Sequence, residues 1–158
     1  MKLYLVSLGI DGEFEETHRF LFRVGETPLE VLSKIQEELR DLNFHFDTLV
    51  EVNYADGRRV VVGEESEEKL FAVFSGFYTK GSPLENHGII FVAAKDQAEA
   101  RTKARALLKT MDAITPHVDG IKEISRVEGR AIGVRSAEAS PNLFFYHDDI
   151  KSLLEEGR

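Results

Sequence analysis

The chain of 158 residues contains no cysteine, which rules out disulfides, a thiolate nucleophile and a cysteine-ligated zinc. Proline and glycine are sparse, at 4 and 12 residues, while 42% of the chain is hydrophobic, so disordered and fibrous classes are excluded. The longest apolar run, Ile89 to Ala94, falls far short of the roughly 20 residues that cross a bilayer. The apolar stretch from Met1 to Ile10 is followed by acidic residues without a small-residue cleavage site, so it reads as a strand rather than a signal peptide. The expectation is a cytoplasmic protein with no membrane partner. Positive charge is also short: 20 Lys and Arg against 28 Asp and Glu give a net charge of −8. Direct nucleic-acid binding, which needs clustered cations, is therefore disfavoured.

What is present is an internal repeat. Lys2-Leu3-Tyr4-Leu5-Val6 recurs as Lys69-Leu70-Phe71-Ala72-Val73, with Gly9 matching Gly76. Glu16-Thr17-His18 recurs as Glu85-Asn86-His87, His45-Phe46-Asp47 as His117-Val118-Asp119, and Asp56-Gly57-Arg58 as Glu128-Gly129-Arg130. The landmarks keep their order, which predicts a tandem duplication with copies at 1–63 and 68–134. Each copy reads as a ββαββ unit. Its helix is announced in the first copy by Thr27, Pro28 and Glu30, followed by Leu32, Ile35, Leu39 and Leu42 at helical spacing. The second helix opens with Asp96 and Glu99, with Ala100, Ala104, Leu107, Leu108 and Met111 as its apolar stripe. Both hairpins turn on an acidic-Gly step, where glycine accepts a positive φ.

The predicted class is α+β. A single pseudo-twofold domain over 1–134 should have a mainly antiparallel sheet with the helices on one face, followed by a tail, 135–158, with a short strand at Leu143 to Tyr146 and a helix at Ile150 to Glu156 capped by Asp148 or Asp149. Leu3 to Leu8 and Ile89 to Val92 are apolar on both sides, so the sheet face away from the helices should also be covered. A homodimer through an apolar face or edge is one way to cover it, and the tail is another. Phe22 and Phe91, at matching strand positions, are expected to face the helices.

The Lys-Leu-Tyr-Leu-Val-Ser-Leu-Gly opening, Glu-x-His before a Phe/Ile-rich strand, His-x-Asp before the hairpin, and the duplication itself resemble an uncharacterised bacterial domain of unknown function, family 1543, which occurs in one or two copies per chain. The resemblance covers about residues 1–134. That family tends to carry an acidic residue after the His of Glu-x-His, where this chain has Arg19 and Gly88. The resemblance implies a fold and no activity.

The candidate site residues are the repeated pairs Glu16/His18, His45/Asp47, Glu85/His87 and His117/Asp119. Two residues apart on a strand, a His and an acid share a face, where they can share a metal ion or act as a base and its orienter. Such a pair also serves as a plain hydrogen-bonding pair, and strand phase favours that reading. Glu16 and His18 are in phase with Phe20 and Phe22, whereas His45 and Asp47 are out of phase with Phe44, Phe46, Val50 and Val52. If both aromatic sets face the helix, the two pairs lie on opposite faces and no metal site forms. The expectation is thus no metal and no cofactor. Glu51 reads as a solvated face residue.

The loops before the two Glu-x-His segments differ in charge. The first carries Asp11, Glu13 and Glu15; the second carries Tyr78, Thr79, Lys80 and Ser82, a weak candidate for binding an anion. Residues 1–66 have 7 basic against 14 acidic groups, and 67–134 have 10 against 9. The row Arg101, Arg105, Lys109 on the second helix is complementary to Glu30, Glu37, Glu38 and Asp41 on the first, which favours helix packing within or between chains. No nucleophile with an activating base and no phosphate loop is present, so the leading reading is a non-catalytic binding or interaction module for an unknown protein or small molecule. The alternatives are an enzyme using a His/acid pair as general base, with or without a metal, and an acidic decoy of a nucleic-acid-binding partner.

Overall fold

The structure, a computed structural model, describes residues 1–158. In chain order its elements begin with β1 (Lys2–Ile10), β2 (Thr17–Gly25), α1 (Pro28–Glu38), β3 (Phe44–Glu51), β4 (Tyr54–Ala55) and β5 (Arg58–Val62). Then come β6 (Lys69–Tyr78), β7 (Asn86–Ala94), α2 (Gln97–Leu108), β8 (Ile114–Ile124), β9 (Arg126–Val127) and β10 (Arg130–Arg135). The chain ends with β11 (Leu143–Tyr146) and α3 (His147–Glu156). The fold is α+β with antiparallel ladders, and no helix is long and apolar enough to cross a membrane. Two compact units result: Met1–Asn53 with Val127–Gly129 and Ser140–Arg158, and Tyr54–Arg126 with Arg130–Ala139. The first boundary falls after Asn53 rather than near residue 63, because β5 pairs along β10 in the second unit, Val62 opposite Ile132 and Arg59 opposite Arg135.

The first unit is a sheet in the order β11-β3-β1-β2. Tyr4, Val6 and Leu8 of β1 face α1 and pack with Val31, Leu32 and Ile35, and α3 adds Ile150 to the same core. Leu3 and Leu5, on the other face, are buried as well, as an uninterrupted apolar strand requires. The α1 start follows from its first residues. Thr27 Oγ1 accepts the Glu30 N–H at 3.2 Å, and the Glu30 carboxylate accepts the Glu26 N–H at 2.9 Å, a capping box closed one residue early. The helix ends at Glu38, so Leu42, expected in its stripe, lies beyond it and is exposed. Acids of α1 find cations in their own unit: Glu30 with Lys34, Glu37 with Arg40, Glu38 with Arg23.

The second unit contains a sheet in the order β7-β6-β8. Phe71 and Val73 of β6 and Val92 and Ala94 of β7 pack against Ala100 and Ala104 of α2, where small helical residues let the helix approach the large strand side chains. Asp96 Oδ1 caps the Glu99 N–H at 2.8 Å, and Glu99 returns to the Lys95 N–H at 2.8 Å. Leu108 is buried, but Leu107 is exposed, and Met111, expected in the stripe, lies beyond the end of α2 and is exposed as well. Asp56-Gly57 and Glu128-Gly129 both carry positive φ at each residue, the type I′ geometry that matches strand twist.

Four further expectations are adjusted by the strands. The ladders put Phe22 opposite Leu5 and Phe91 opposite Ala72, in phase with the face away from α1 and α2, and both rings are half-buried there. Glu51 is buried rather than solvated, because Lys2 Nζ reaches its carboxylate at 2.5 Å and Asn53 Nδ2 at 3.0 Å. In the tail, β11 pairs along the β3 edge, Tyr146 opposite Thr48 and Leu143 opposite Glu51. There α3 starts at His147, with Asp149 closing its first turn by accepting the Tyr146 N–H at 2.9 Å instead of acting as the N-cap.

Candidate metal centre

On the face of each sheet opposite its helix, one glycine of the central strand has a histidine directly across from it on both sides. Gly9 of β1 pairs with His18 of β2 and with His45 of β3; Gly76 of β6 pairs with His87 of β7 and His117 of β8. Cross-strand neighbours on one face approach each other closely, and the missing side chain between them leaves room for both imidazoles to lean inward.

The expectation that the two His/acid pairs point to opposite faces fails, because Phe20 and Phe22 do not face the helix: they lie opposite Ser7 and Leu5, on the side of the sheet away from α1, whereas Phe44 and Phe46 lie opposite Ile10 and Leu8 on the helix side. The strand phase is also interrupted by one residue in each unit. In the β1–β3 ladder Ser7 lies opposite Thr48 and Leu8 opposite Phe46, which leaves Asp47 as an extra residue without a partner. In the β6–β8 ladder Phe74 lies opposite Gly120 and Ser75 opposite Val118, which leaves Asp119 in the same role. A bulge of this kind inverts strand phase beyond it, so the core-facing set before it and the set after it cannot both be counted by twos. His45, out of phase with Phe44 and Phe46 and opposite Gly9, shares with Asp47 the face of Glu16 and His18, and the premise for excluding a metal site is removed.

The pairs converge. In the first unit His45 Nε2 lies 2.7 Å from Glu16 Oε1 and 3.0 Å from Asp47 Oδ1, while the other oxygen of Asp47 is 3.1 Å from His18 Nδ1. In the second unit His117 Nε2 lies 2.8 Å from Glu85 Oε1 and 3.1 Å from Asp119 Oδ1. His87 is held more loosely, 3.7 Å from Asp119 and 3.8 Å from Glu85. Each cluster is open to solvent at the ends of its side chains, with His45 37% and His117 43% exposed. The glycines are part of the site: a Cβ on Gly9 would overlap the Glu16 carboxylate and the His45 ring, and one on Gly76 would overlap Glu85 and His117.

The donor chemistry of the second cluster is the more constrained. His117 Nδ1 lies 2.9 Å from the Thr115 carbonyl oxygen, which only accepts, so Nδ1 carries the proton. In a neutral ring Nε2 then presents a lone pair to two carboxylate oxygens, an arrangement that requires a second proton or a cation. The hydrogen bond to Thr115 is the main influence raising the His117 pKa above its usual value; desolvation opposes it, and the Asp119 and Glu85 charges add to it. A backbone carbonyl on the remote ring nitrogen is also the way metal-ligating histidines are oriented. Thr115 itself sits at φ 45, a left-handed conformation that a β-branched residue rarely adopts.

Donor groups in each cluster lie close enough to share one ion: Glu16, His18 and Asp47 form one such group, and Glu85, His117 and Asp119 another. An ion about 2.1 Å from each of two cis ligands places them about 3 Å apart, which matches the shortest separations. Sequence reasoning overlooked Asp11, which joins Glu16 and His45 in a third group and whose signal was the acidic loop itself. His147, whose Nδ1–H donates to the Phe46 carbonyl oxygen at 2.9 Å, lies edge-on to His45 and was also missed. Tyr78 ends β6, whereas Thr79, Lys80 and Ser82 form an exposed turn whose hydrogen bonds, Ser82 N–H to the Thr79 carbonyl and Leu84 N–H to Ser82 Oγ, close the turn itself.

No family model and no curated protein matches the chain. A crystal structure of protein Il1583 from Idiomarina loihiensis is similar in fold, with a TM-score of 0.61 at 20% sequence identity, over 92% of this chain and 97% of that one.

Proposed function

We propose that the chain is a non-catalytic binding module, built by tandem duplication of a ββαββ unit, whose ligand is a divalent transition-metal ion held at two equivalent sites. His18, His45, Glu16 and Asp47 would hold one ion, and His87, His117, Glu85 and Asp119 the other. The observation that carries the reading is the repeated convergence: over the same glycine, on the face away from the helix, the same two His/acid pairs meet in both units, each with an extra aspartate in its ladder. The order strand, strand, helix, strand in both halves supports the duplication. Glu-x-His and His-x-Asp, which carry the resemblance to family 1543, are the ligand-bearing segments. Mixed imidazole and carboxylate ligands suit zinc, manganese or iron better than calcium, which takes oxygen alone, or copper(I), which prefers sulfur.

Titration of chelator-treated protein with Zn²⁺ and Mn²⁺ in a calorimeter tests this, with two ions bound per chain as the expected result. Asp47→Asn and Asp119→Asn should each remove one. Absence of saturable binding in the wild type would sink the proposal. A second reading, an enzyme with a His/acid pair as general base, draws on one observation: the Thr115 carbonyl leaves His117 Nε2 as the basic nitrogen.

A further inference from the structure

The two clusters match in position but not in donors. In the first unit two groups of close ligand atoms overlap, Asp11 with Glu16 and His45, and Glu16 with His18 and Asp47. Glu16 belongs to both, so five side chains gather around its carboxylate over Gly9. In the second unit the close group holds only Glu85, His117 and Asp119, and His87 stands off at 3.7 Å from Asp119 and 3.8 Å from Glu85.

The course of the chain puts Asp11 at the first cluster. It follows Gly9 by two residues, which keeps it on the same face of β1. Its N–H donates to the Asn43 carbonyl oxygen at 3.2 Å, so the pairing of β1 with β3 runs on past Ile10. The return to Glu16 takes residues 12–15 and is tight: a Cβ on Gly12 would lie 2.5 Å from the Glu15 carbonyl oxygen. At the position matching Asp11 the second repeat has Tyr78, a side chain without a carboxylate, and the longer stretch 79–84 separates it from Glu85.

This difference acts on the choice of ion. Three carboxylates attract a divalent cation more strongly than two, and the number of charged ligands is one of the main settings of cation affinity. Zinc is satisfied by four ligands in a tetrahedron, whereas manganese favours carboxylate oxygen and a higher coordination number. Zinc binds most mixed sites more tightly than manganese, so the preference is one of ratio.

We infer that the chain is a mixed-metal binder, in which the first unit is the manganese-preferring site, with Asp11 as its additional ligand, and the second unit is the zinc-preferring site. This rests on the metal reading above. Calorimetric titration of the metal-free full chain with Mn²⁺, and separately with Zn²⁺, tests it. The expected Mn²⁺ isotherm has two steps at least about tenfold apart in affinity, the two Zn²⁺ steps lie closer together, and Asp11→Asn weakens the tighter Mn²⁺ step by at least about tenfold. Glu13→Gln is the control, since it removes the same charge from the same loop but belongs to no donor group. Asp11 and Glu13 are both exposed, so neither change disturbs the core. Two Mn²⁺ of equal affinity in the wild type, Zn²⁺ steps as far apart as the Mn²⁺ steps, or equal weakening by Asp11→Asn and Glu13→Gln would overturn this inference and leave the metal sites standing. No saturable binding of either ion to the wild type would overturn both.

Discussion

A methyl group on Gly9 separates the metal site from the fold more cleanly than the loss of any ligand. Gly9 does not have a positive φ, so alanine is compatible with its backbone, and a strand-interior glycine replaced by alanine gains about 0.5–1 kcal/mol from reduced chain entropy. Against that gain, the new Cβ would sit 2.5 Å from His45 Cε1 and Nε2 and would overlap Glu16 Oε1. Ordinary carbon contacts lie near 3.5–4.0 Å, so the imidazole must retreat by about 1 Å. Both displaced groups end at the surface and can swing aside, which limits the net change in stability to about 1 kcal/mol either way. A metal ligand tolerates only about 0.2 Å. The affinity of that site should fall by about 10–100-fold, the range seen when a supporting group of a metal ligand is removed, or about 1.4–2.7 kcal/mol. Calorimetry with Zn²⁺ or Mn²⁺ reads the affinity, and urea melts of the metal-free protein read the fold. Gly76→Ala should do the same to the second site. Gly120→Ala is the control, because a Cβ there meets nothing within 4 Å. If Gly9→Ala binds both ions with unchanged affinity, the glycine is not the floor of a site and the reasoning is wrong.

Protonation and core packing give two more tests. His117 has its pKa raised in the folded protein, first by the Thr115 carbonyl, so its contribution to stability is present below pH 6.5 and is lost as pH rises through the raised value. The melting difference between wild type and His117→Gln in the metal-free state should therefore shrink from pH 6 to pH 8; with Zn²⁺ it should grow, because the ion needs a deprotonated Nε2, and equal trends in both states would count against a shared atom. Ile35→Ala, at a fully buried position under α1, should cost about 2–5 kcal/mol in urea melts. Phe22→Ala, half-buried on the other face, should cost about 1–2 kcal/mol, roughly half the transfer value of a buried ring, and a larger loss there than at Ile35 would show that the faces are misassigned.

The parts of this fold legible in the sequence are those set by local chemistry. Thr27-Pro28 and Asp96 mark the helix starts because few other residues satisfy the free N–H groups there, and Asp56-Gly57 and Glu128-Gly129 mark turns because both positions need positive φ. All eight ligand candidates were visible as repeated pairs. Their convergence was not, because alternation alone does not say which face carries the helix: Phe20 and Phe22, though aromatic, lie on the face away from α1, and the extra residues Asp47 and Asp119 interrupt the phase of β3 and β8. The clue available was the matched pair Gly9 and Gly76, small residues in strands otherwise rich in large apolar ones, where a close approach is the usual reason for glycine. The placement of β4 and β5 in the second unit was hidden for a different reason: the partner of β5 is β10, far away in sequence, and pairing over such a distance leaves no local signal.

Crystals soaked in Mn²⁺ or Zn²⁺, with diffraction recorded on both sides of the metal absorption edge, test the central claim most directly. The account predicts two anomalous peaks per chain, one above Gly9 within about 2.0–2.2 Å of donor atoms from His45, Glu16 and Asp47, and one above Gly76 in the same relation to His117, Glu85 and Asp119. Crystals of the intact chain that show no anomalous peak at either glycine, under metal concentrations that saturate ordinary imidazole-carboxylate sites, would contradict it.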